Sequence, residues 1–207
     1  KLTGVFFVVD EQTITGDSYM VGGQGQVTIK PSSGWSVVLA GGYYDYTINS
    51  LRNTDAGDIR GNRLAPGGTA YLSDFDLLDA VVTLDLRGFG DRYPIKFVGD
   101  YVNNLGADDL NQGFNLDLFV GRASAKGDLR FRYGYSQAET DAVLAAFSHD
   151  NTTLAVNYAQ HSATFDYQVR KDIQLNATWY VYHQLDSAPG ASNPWIKRLR
   201  LNALFVF

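Results

Sequence analysis

Ile173-Gln174-Leu175-Asn176-Ala177-Thr178-Trp179-Tyr180-Val181-Tyr182 alternates without a break. Its odd positions, Ile173, Leu175, Ala177, Trp179 and Val181, are apolar, and every even position carries a hydrogen-bonding group. Side chains of a strand point to opposite faces with period two, so this stretch is a β-strand with one apolar and one polar face. The same phase recurs along the chain. Leu199, Leu201, Ala203, Phe205 and Phe207 alternate with Arg198, Arg200 and Asn202; Leu129, Phe131, Tyr133 and Tyr135 alternate with Asp128, Arg130 and Arg132. Phe114, Leu116, Leu118 and Val120 alternate with Asn115 and Asp117, and Tyr93, Ile95, Phe97 and Tyr101 with Lys96 and Asp100. Weaker copies occupy 18–30, 34–48, 77–87 and 160–170, and residues 2–9 read as a first strand. That makes about ten strands of about 8–15 residues, which brackets the roughly 9–11 residues that a tilted strand needs to cross a bilayer.

Composition narrows the classes. The 207 residues include 17 Lys and Arg against 22 Asp and Glu, a formal charge of −5, with 14% aromatic residues and no cysteine. The aromatic content argues against disorder, and an acidic chain repels a phosphate backbone, so no nucleic-acid partner is expected. Without cysteine there is no disulfide framework and no thiolate metal site. The longest apolar runs, such as Val5 to Val9, fall far short of the roughly 18–20 residues of a membrane-spanning helix. Lys1 to Phe6 lacks a charged segment followed by an apolar core, so a signal peptide is expected to be absent or already removed.

Two architectures use two-faced strands, a soluble β-sandwich or lipocalin-like barrel and a transmembrane barrel. Aromatic residues at the ends of the apolar faces favour the second. Trp35, Tyr93 and Trp195 open their strands, and Tyr101, Tyr135 and Phe207 close theirs, with Trp179 also on an apolar face. Such rings prefer the boundary between hydrocarbon and water, so Trp35, Tyr93, Tyr101, Trp179, Trp195 and Phe207 are assigned to the lipid interfaces. The links supply a second test. They read 10–17, 31–33, 49–76, 88–92, 104–111, 124–125, 137–159, 171–172 and 185–194, long and short in alternation. An up-and-down outer-membrane barrel has short turns on the periplasmic side and long loops outside. The short links carry turn chemistry, as in Pro31-Ser32-Ser33-Gly34 and Ser124-Ala125-Lys126-Gly127. The fold class is therefore all-β, an antiparallel up-and-down transmembrane barrel of about ten strands. It forms one domain over 1–207, with long external loops near 49–76 and 137–159.

The final stretch, Leu199 to Phe207, ends in Phe with apolar residues at alternate positions. It resembles the C-terminal signal by which outer-membrane proteins reach the barrel assembly machinery, which the resemblance implies as a partner. A wider stretch begins at Gly121-Arg122-Ala123-Ser124-Ala125-Lys126-Gly127-Asp128-Leu129. A Tyr-rich strand follows, then Glu139-Thr140-Asp141-Ala142-Val143-Leu144-Ala145-Ala146-Phe147, the last hairpin and the Phe terminus. Together these look like the C-terminal part of a porin family of Gram-negative outer-membrane β-barrels, over about residues 95–207. The resemblance implies an outer-membrane channel for passive diffusion of small hydrophilic solutes or ions, in contact with membrane lipids and compatible with a homo-oligomer. Members of that family are usually longer, which implies further strands before Lys1.

Function is expected on the polar face, because a charge facing lipid costs roughly 2–4 kcal/mol at mid-bilayer. The pore-lining residues are then Asp85, Lys96, Asp100, Asp117, Arg130, Arg132, Asp166, Arg198 and Arg200. A tight turn at Ser124-Ala125 brings Asp117 opposite Arg132, or opposite Arg130 with a slip of register, and the turn at 88–91 brings Lys96 near Thr83 or Asp85. Facing acids and bases would set up a transverse field that selects solutes by charge. The alternative is a plugged structural or binding barrel in which the pairs satisfy one another, since about eight strands leave room only for side chains and an aqueous channel takes about sixteen. Ala138 to Phe147 suggests a short helix that folds into the mouth. Residues 154–158 read as a continuation of the next strand, with a bulge near Gln160-His161.

An outer-membrane hydrolase is the weaker alternative. His149, His161 and His183 are the three histidines. Adjacent strand residues face opposite ways, so His161 and Ser162 do not pair, and no catalytic residue is assigned. Arg52, Asp55, Asp58, Arg60, Arg63 and Asp74 give the 49–76 loop a charged surface. Neither Asn53, Asp55 and Asp58 nor Asp108-Asp109 matches a calcium-loop spacing, so no metal and no cofactor is expected.

Overall fold

The computed structural model describes residues 1–11, 16–51, 61–87, 90–148 and 151–206. Phe207, His149, Asp150, Gly88, Phe89 and the loop residues Arg52, Asn53, Asp55, Asp58 and Arg60 lie outside the described residues.

Ten strands form one sheet: β1 (Leu2–Asp10), β2 (Ser18–Ser32), β3 (Trp35–Thr47), β4 (Phe75–Leu86), β5 (Ile95–Asn104), β6 (Gln112–Gly121), β7 (Leu129–Ala138), β8 (Tyr158–Arg170), β9 (Ile173–Gln184) and β10 (Ile196–Phe205). Each strand pairs antiparallel with the next, in the order β1 to β10. The up-and-down topology is as read from the sequence. The alternation of long and short links, by contrast, fails in the middle of the sheet, where the links 87–94, 105–111 and 122–128 are eight, seven and seven residues. The sheet is open: β1 and β10 are its two edges and do not pair with each other.

Two local expectations are corrected. There is no bulge at Gln160-His161, because β8 pairs with β7 in unbroken register from Tyr158 to Tyr167, and residues 154–157 precede the strand. The only helix among the described residues is a single 3-10 turn, Ala145–Phe147. Asp141 and Ala142 are instead drawn into an irregular turn that tertiary hydrogen bonds hold, which outweighs the helix propensity of the alanines.

Paired residues share a face, so the register sorts every side chain. One face carries Phe97, Leu116, Phe165 and Trp179 and stays open, with Leu116 51% and Trp179 44% exposed. The other carries Asp117 and Asp166, at 5% and 2%. Large apolar residues of this sheet are thus left open on one face while Asp117 and Asp166 are covered on the other, the reverse of a soluble barrel. Across the open face aromatic rings pair between strands, Phe131 with Phe165 at 5.0 Å and Phe114 with Tyr135 at 5.7 Å.

The buried core lies between the sheet and one loop. Phe75 and Leu77 of β4 pack with Leu144, flanked by Tyr44 and Tyr46 of β3; Ala138 and Tyr158 pack with Ala142. The described residues of the β7–β8 connection, 139–148 and 151–157, therefore fold back over the polar face at its long-loop end. Phe147 reaches the edge strand, edge-on to Phe7 of β1 at 5.6 Å, and lies 6.3 Å from Tyr46. Farther along the loop, Asn151 accepts a hydrogen bond from Arg200 of β10. One loop touches both edge strands, so the sheet curls around it.

The short turns are tight. Gly121 leaves β6 with φ +88°, and a Cβ there would meet the Leu129 carbonyl oxygen at 2.3 Å. Gly121→Ala is expected to destabilise the folded protein by about 1–3 kcal/mol through backbone strain and this clash. Urea unfolding in detergent, followed by tryptophan fluorescence, measures it; an unchanged midpoint would show that the turn relaxes.

Candidate functional site: the charged face and the loops folded over it

The polar face is organised around two buried carboxylates. Asp117 sits on β6 directly across from Gly134 of β7, and Arg132 reaches it diagonally, with Nε donating to Oδ1 at 2.9 Å and Nη2 to Oδ2 at 2.7 Å. Asn115 Nδ2 donates to the same carboxylate at 3.0 Å. Gly134 makes the approach possible: a Cβ at that position would lie 2.5 Å from Asp117 Oδ1 and 2.7 Å from Ser162 Oγ. The guanidinium of Arg132 also lies 5.2 Å over the ring of Phe119, which shares its face. The sequence reading placed Asp117 with Arg132 or Arg130. Arg132 takes it, along a diagonal rather than directly opposite.

Asp166 of β8 is the second anchor. Arg130 Nε donates to it at 2.8 Å, Asn176 Nδ2 at 2.7 Å and Gln174 Nε2 at 3.1 Å. The ladder continues sideways, with Asn202 Nδ2 donating to Asn176 Oδ1 at 3.0 Å and Arg200 Nε to Asn202 Oδ1 at 3.3 Å. Polar contacts thus run unbroken from β7 to the edge strand β10. Both arginines keep about two-fifths of their side chains exposed while their acids are covered. Removing either arginine would therefore leave a buried carboxylate uncompensated, which is costly. Lys96 stands opposite Asp85 as expected, with Nζ 3.6 Å from Oδ1, and this pair is largely solvated. Asp100 lines the same face beside Asp79 of β4. Arg198 and Arg200 share the face from the exposed edge strand.

Two cavities lie in series along this face. One, of about 500 Å³, lies under the 139–157 loop and is lined by Asp100, Asn115, Arg132, Gln160 and Thr178 among others. The other, of about 570 Å³, lies toward the short turns and is lined by Asp85, Lys96, Phe119 and Arg130. On β5, β6 and β7 the residues of the first cavity lie nearer the long loops than those of the second, so the Arg132–Asp117 pair stands at the divide.

The interface aromatics distribute as follows. Trp35 opens β3 at the short-turn end, and Tyr93 precedes β5 there. Tyr101 lies near the long-loop end of β5, and Trp195 precedes β10, its ring 4.1 Å from His183 and 5.8 Å from His161. Tyr133 shares a 2.8 Å hydrogen bond with His161 Nδ1 on the same outer face. Trp179 is the exception: six residues separate it from the start of β9, so it stands at mid-strand rather than at a rim. His161 and Ser162 do face opposite ways.

Asp141 was read only as part of a resemblance, yet it clamps three long loops. Fully buried, it accepts Arg63 N–H at 3.0 Å, Arg63 Nε at 2.7 Å and the Ser73 hydroxyl at 2.9 Å. Its own backbone N–H donates to Leu110, and its carbonyl accepts Asn104 Nδ2 at 2.8 Å. Asn62 completes the clamp: its Nδ2 donates to the carbonyls of Thr140 and Val143, and its Oδ1 accepts Ala145 N–H at 2.7 Å. The bond to Asp141, and then that to Asp109, raises the already high pKa of Arg63 despite partial burial. Partners so far apart in the chain leave no periodic signal.

At the opposite end Asp128 closes the β6–β7 turn. It accepts the N–H of Ala125 at 2.8 Å and of Ser124 at 3.3 Å, and Arg122 Nε at 3.1 Å. These bonds, the Ala125 N–H first, hold its pKa below the ordinary aspartate value. Among the described residues no group of three or more His, Asp or Glu gathers as metal ligands do.

Asp141→Ala is expected to cost about 3–5 kcal/mol by leaving Arg63 and Ser73 without their buried acceptor. Limited proteolysis should then cut within 139–157 while the strands stay protected; equal resistance to wild type would remove the clamp. A depressed aspartate pKa adds stability that is full above about pH 4 and is lost as pH falls through the folded-state value. Acidification should therefore loosen the 122–128 turn, read by hydrogen exchange, and Asp128→Asn should abolish that acid step.

No protein-family model, no curated protein and no solved structure matches the chain.

Proposed function

We propose that the chain is a porin-like barrel of the bacterial outer membrane, a channel for passive diffusion of small hydrophilic solutes or ions. The observation that carries the reading is the pairing of its two faces. Two cavities follow one another along a face of ion pairs, and the back of that face is a broad, exposed apolar surface. Apolar patches of this extent mark an interface, and a hydrocarbon layer is the partner that suits all ten strands at once.

The charges that do occur on the apolar face support a depth assignment. Asp45, Asp76 and Lys197, with His183, all lie within three residues of the long-loop ends of their strands. The middle of the face, from Phe97 to Phe165, has none among the described residues. An apolar band bounded by a rim that holds Trp195 and His161 is what a lipid boundary favours.

In hydrocarbon, unpaired backbone groups at a sheet edge are costly, so both edges must find partners. β1 and β10 run in opposite directions and can join antiparallel, directly or through an even number of further strands. Leu199 to Phe205 of β10 belongs to the stretch that resembles the assembly signal, which makes the barrel assembly machinery the proposed folding partner.

A second reading is a plugged structural or binding barrel. The mutual satisfaction of Arg130 with Asp166 and of Arg132 with Asp117, together with the loop packed over the face, favours it. Planar-bilayer recording separates the two. The channel predicts discrete current steps, and Arg130→Gln with Arg132→Gln should shift the reversal potential toward cations by exposing Asp166 and Asp117. Silence from folded protein selects the plugged barrel, and steps with an unchanged reversal potential take these arginines out of the permeation path.

A further inference from the structure

We propose that the cavity between Phe147 and Gln160 is a binding chamber for a non-anionic polyhydroxylated solute of hexose size. The inference rests on the channel reading, which it narrows to a solute class.

Charge comes first. Among the described residues that line this cavity, Asp100 and Arg132 alone are charged, with opposite signs, and Arg132 is already engaged by Asp117. With Arg132 so engaged, the Asp100 carboxylate is the one lining charge left unbalanced, and the lining disfavours an anion. The second cavity differs, since Lys96, Arg122 and Arg130 face Asp85 there.

Hydrogen-bonding capacity is the second point. Gln160 is 7% exposed and lines the cavity, and its Oε1 has no partner in the protein; Nε2 meets only Ser136 Oγ, at 3.5 Å. Turning the amide over leaves the other end unmatched, so the side chain holds unused capacity in either orientation. Thr178 gives its proton to Asn176 at 3.3 Å, and the Thr164 and Thr178 hydroxyls bond at 3.0 Å, so what remains at both is acceptor lone pairs. Asn115 gives one N–H of Nδ2 to Asp117, leaving its carbonyl as an acceptor beside one further N–H. With the Asp100 carboxylate, these groups form an acceptor-rich wall across β5, β6, β8 and β9. A solute that donates several hydroxyl protons matches it, and a buried acceptor left unmatched is costly.

Shape is the third point. Phe147 from the loop and Tyr46, Tyr158 and Tyr180 from the strands also line the cavity. Rings beside convergent amides and hydroxyls suit a flat solute with apolar C–H faces and a polar rim, and about 500 Å³ is within the usual range of small-molecule pockets.

Three solutes built on one scaffold test the assignment in planar bilayers: D-glucose, gluconate and glucosamine. The folded full chain is expected to show current steps that glucose reduces in a saturable way. Gluconate should need a higher concentration for the same effect, and glucosamine no higher one. Gln160→Ala and Thr178→Val, each removing one buried partner, should raise the half-blocking glucose concentration by about tenfold, the equivalent of one hydrogen bond. β-sheet circular dichroism confirms that each variant folds. Steps that glucose leaves unchanged, or that gluconate blocks at lower concentration than glucose, overturn the chamber and leave the channel standing. Folded protein without steps overturns the channel, and the inference falls with it.

Discussion

Everything in this sheet depends on one constraint: side chains that alternate with period two keep the same phase across all ten strands. Antiparallel partners share a face, so a slip of one residue anywhere would send arginines outward and leucines under the loop. The three irregularities in pairing lie at strand ends, between Val8 and Asp10, Ile29 and Ser32, and Gln168 and Arg170. No bulge interrupts the middle of a strand, which is why Asp117, Arg132 and Asp166 converge on one side and Leu116, Phe131 and Trp179 on the other.

The covered face then solves an electrostatic problem. Each buried carboxylate is met by an arginine that keeps part of its side chain in contact with open space, and by neutral amides that fill its remaining lone pairs. Such half-buried pairs retain enough hydration to avoid the full desolvation cost of a buried ion pair. The ladder from Arg130 through Asp166, Asn176 and Asn202 to Arg200 gives the strands specific lateral contacts where apolar packing is lacking. Apolar packing is concentrated instead beneath one loop, where Leu144 meets Phe75 and Leu77.

That loop links the fold to the proposed traffic. Asp141 ties residues 139–157 to the loops that hold Arg63 and Leu110, and Phe147 and Asn151 carry the segment to the two edge strands. A cover fixed by buried bonds gives the cavity beneath it a defined shape, and a defined shape is what allows a preference among solutes of one size.

Strand number, topology and the two faces were legible in the sequence, because period-two patterning and turn residues are local properties. Lys96 was legible to within one residue pair, near Thr83 or Asp85, and Asp85 takes it. The Arg132–Asp117 contact was legible to within one residue pair, its diagonal geometry being set by the space at Gly134. The helix anticipated over Ala138 to Phe147 shrank to a single 3-10 turn, because buried hydrogen bonds from Asn62, Asn104 and Arg63 hold those residues. Trp179 reads as a rim residue only until the strand is seen to continue to Gln184. What the sequence determined by itself is which side of each strand is greasy and which is polar, since neighbours along the chain dictate that. Only the tertiary structure decided which acid meets which base, where the clamp at Asp141 closes and that two cavities lie in series, because those depend on residues dozens of positions apart being brought within a few ångströms.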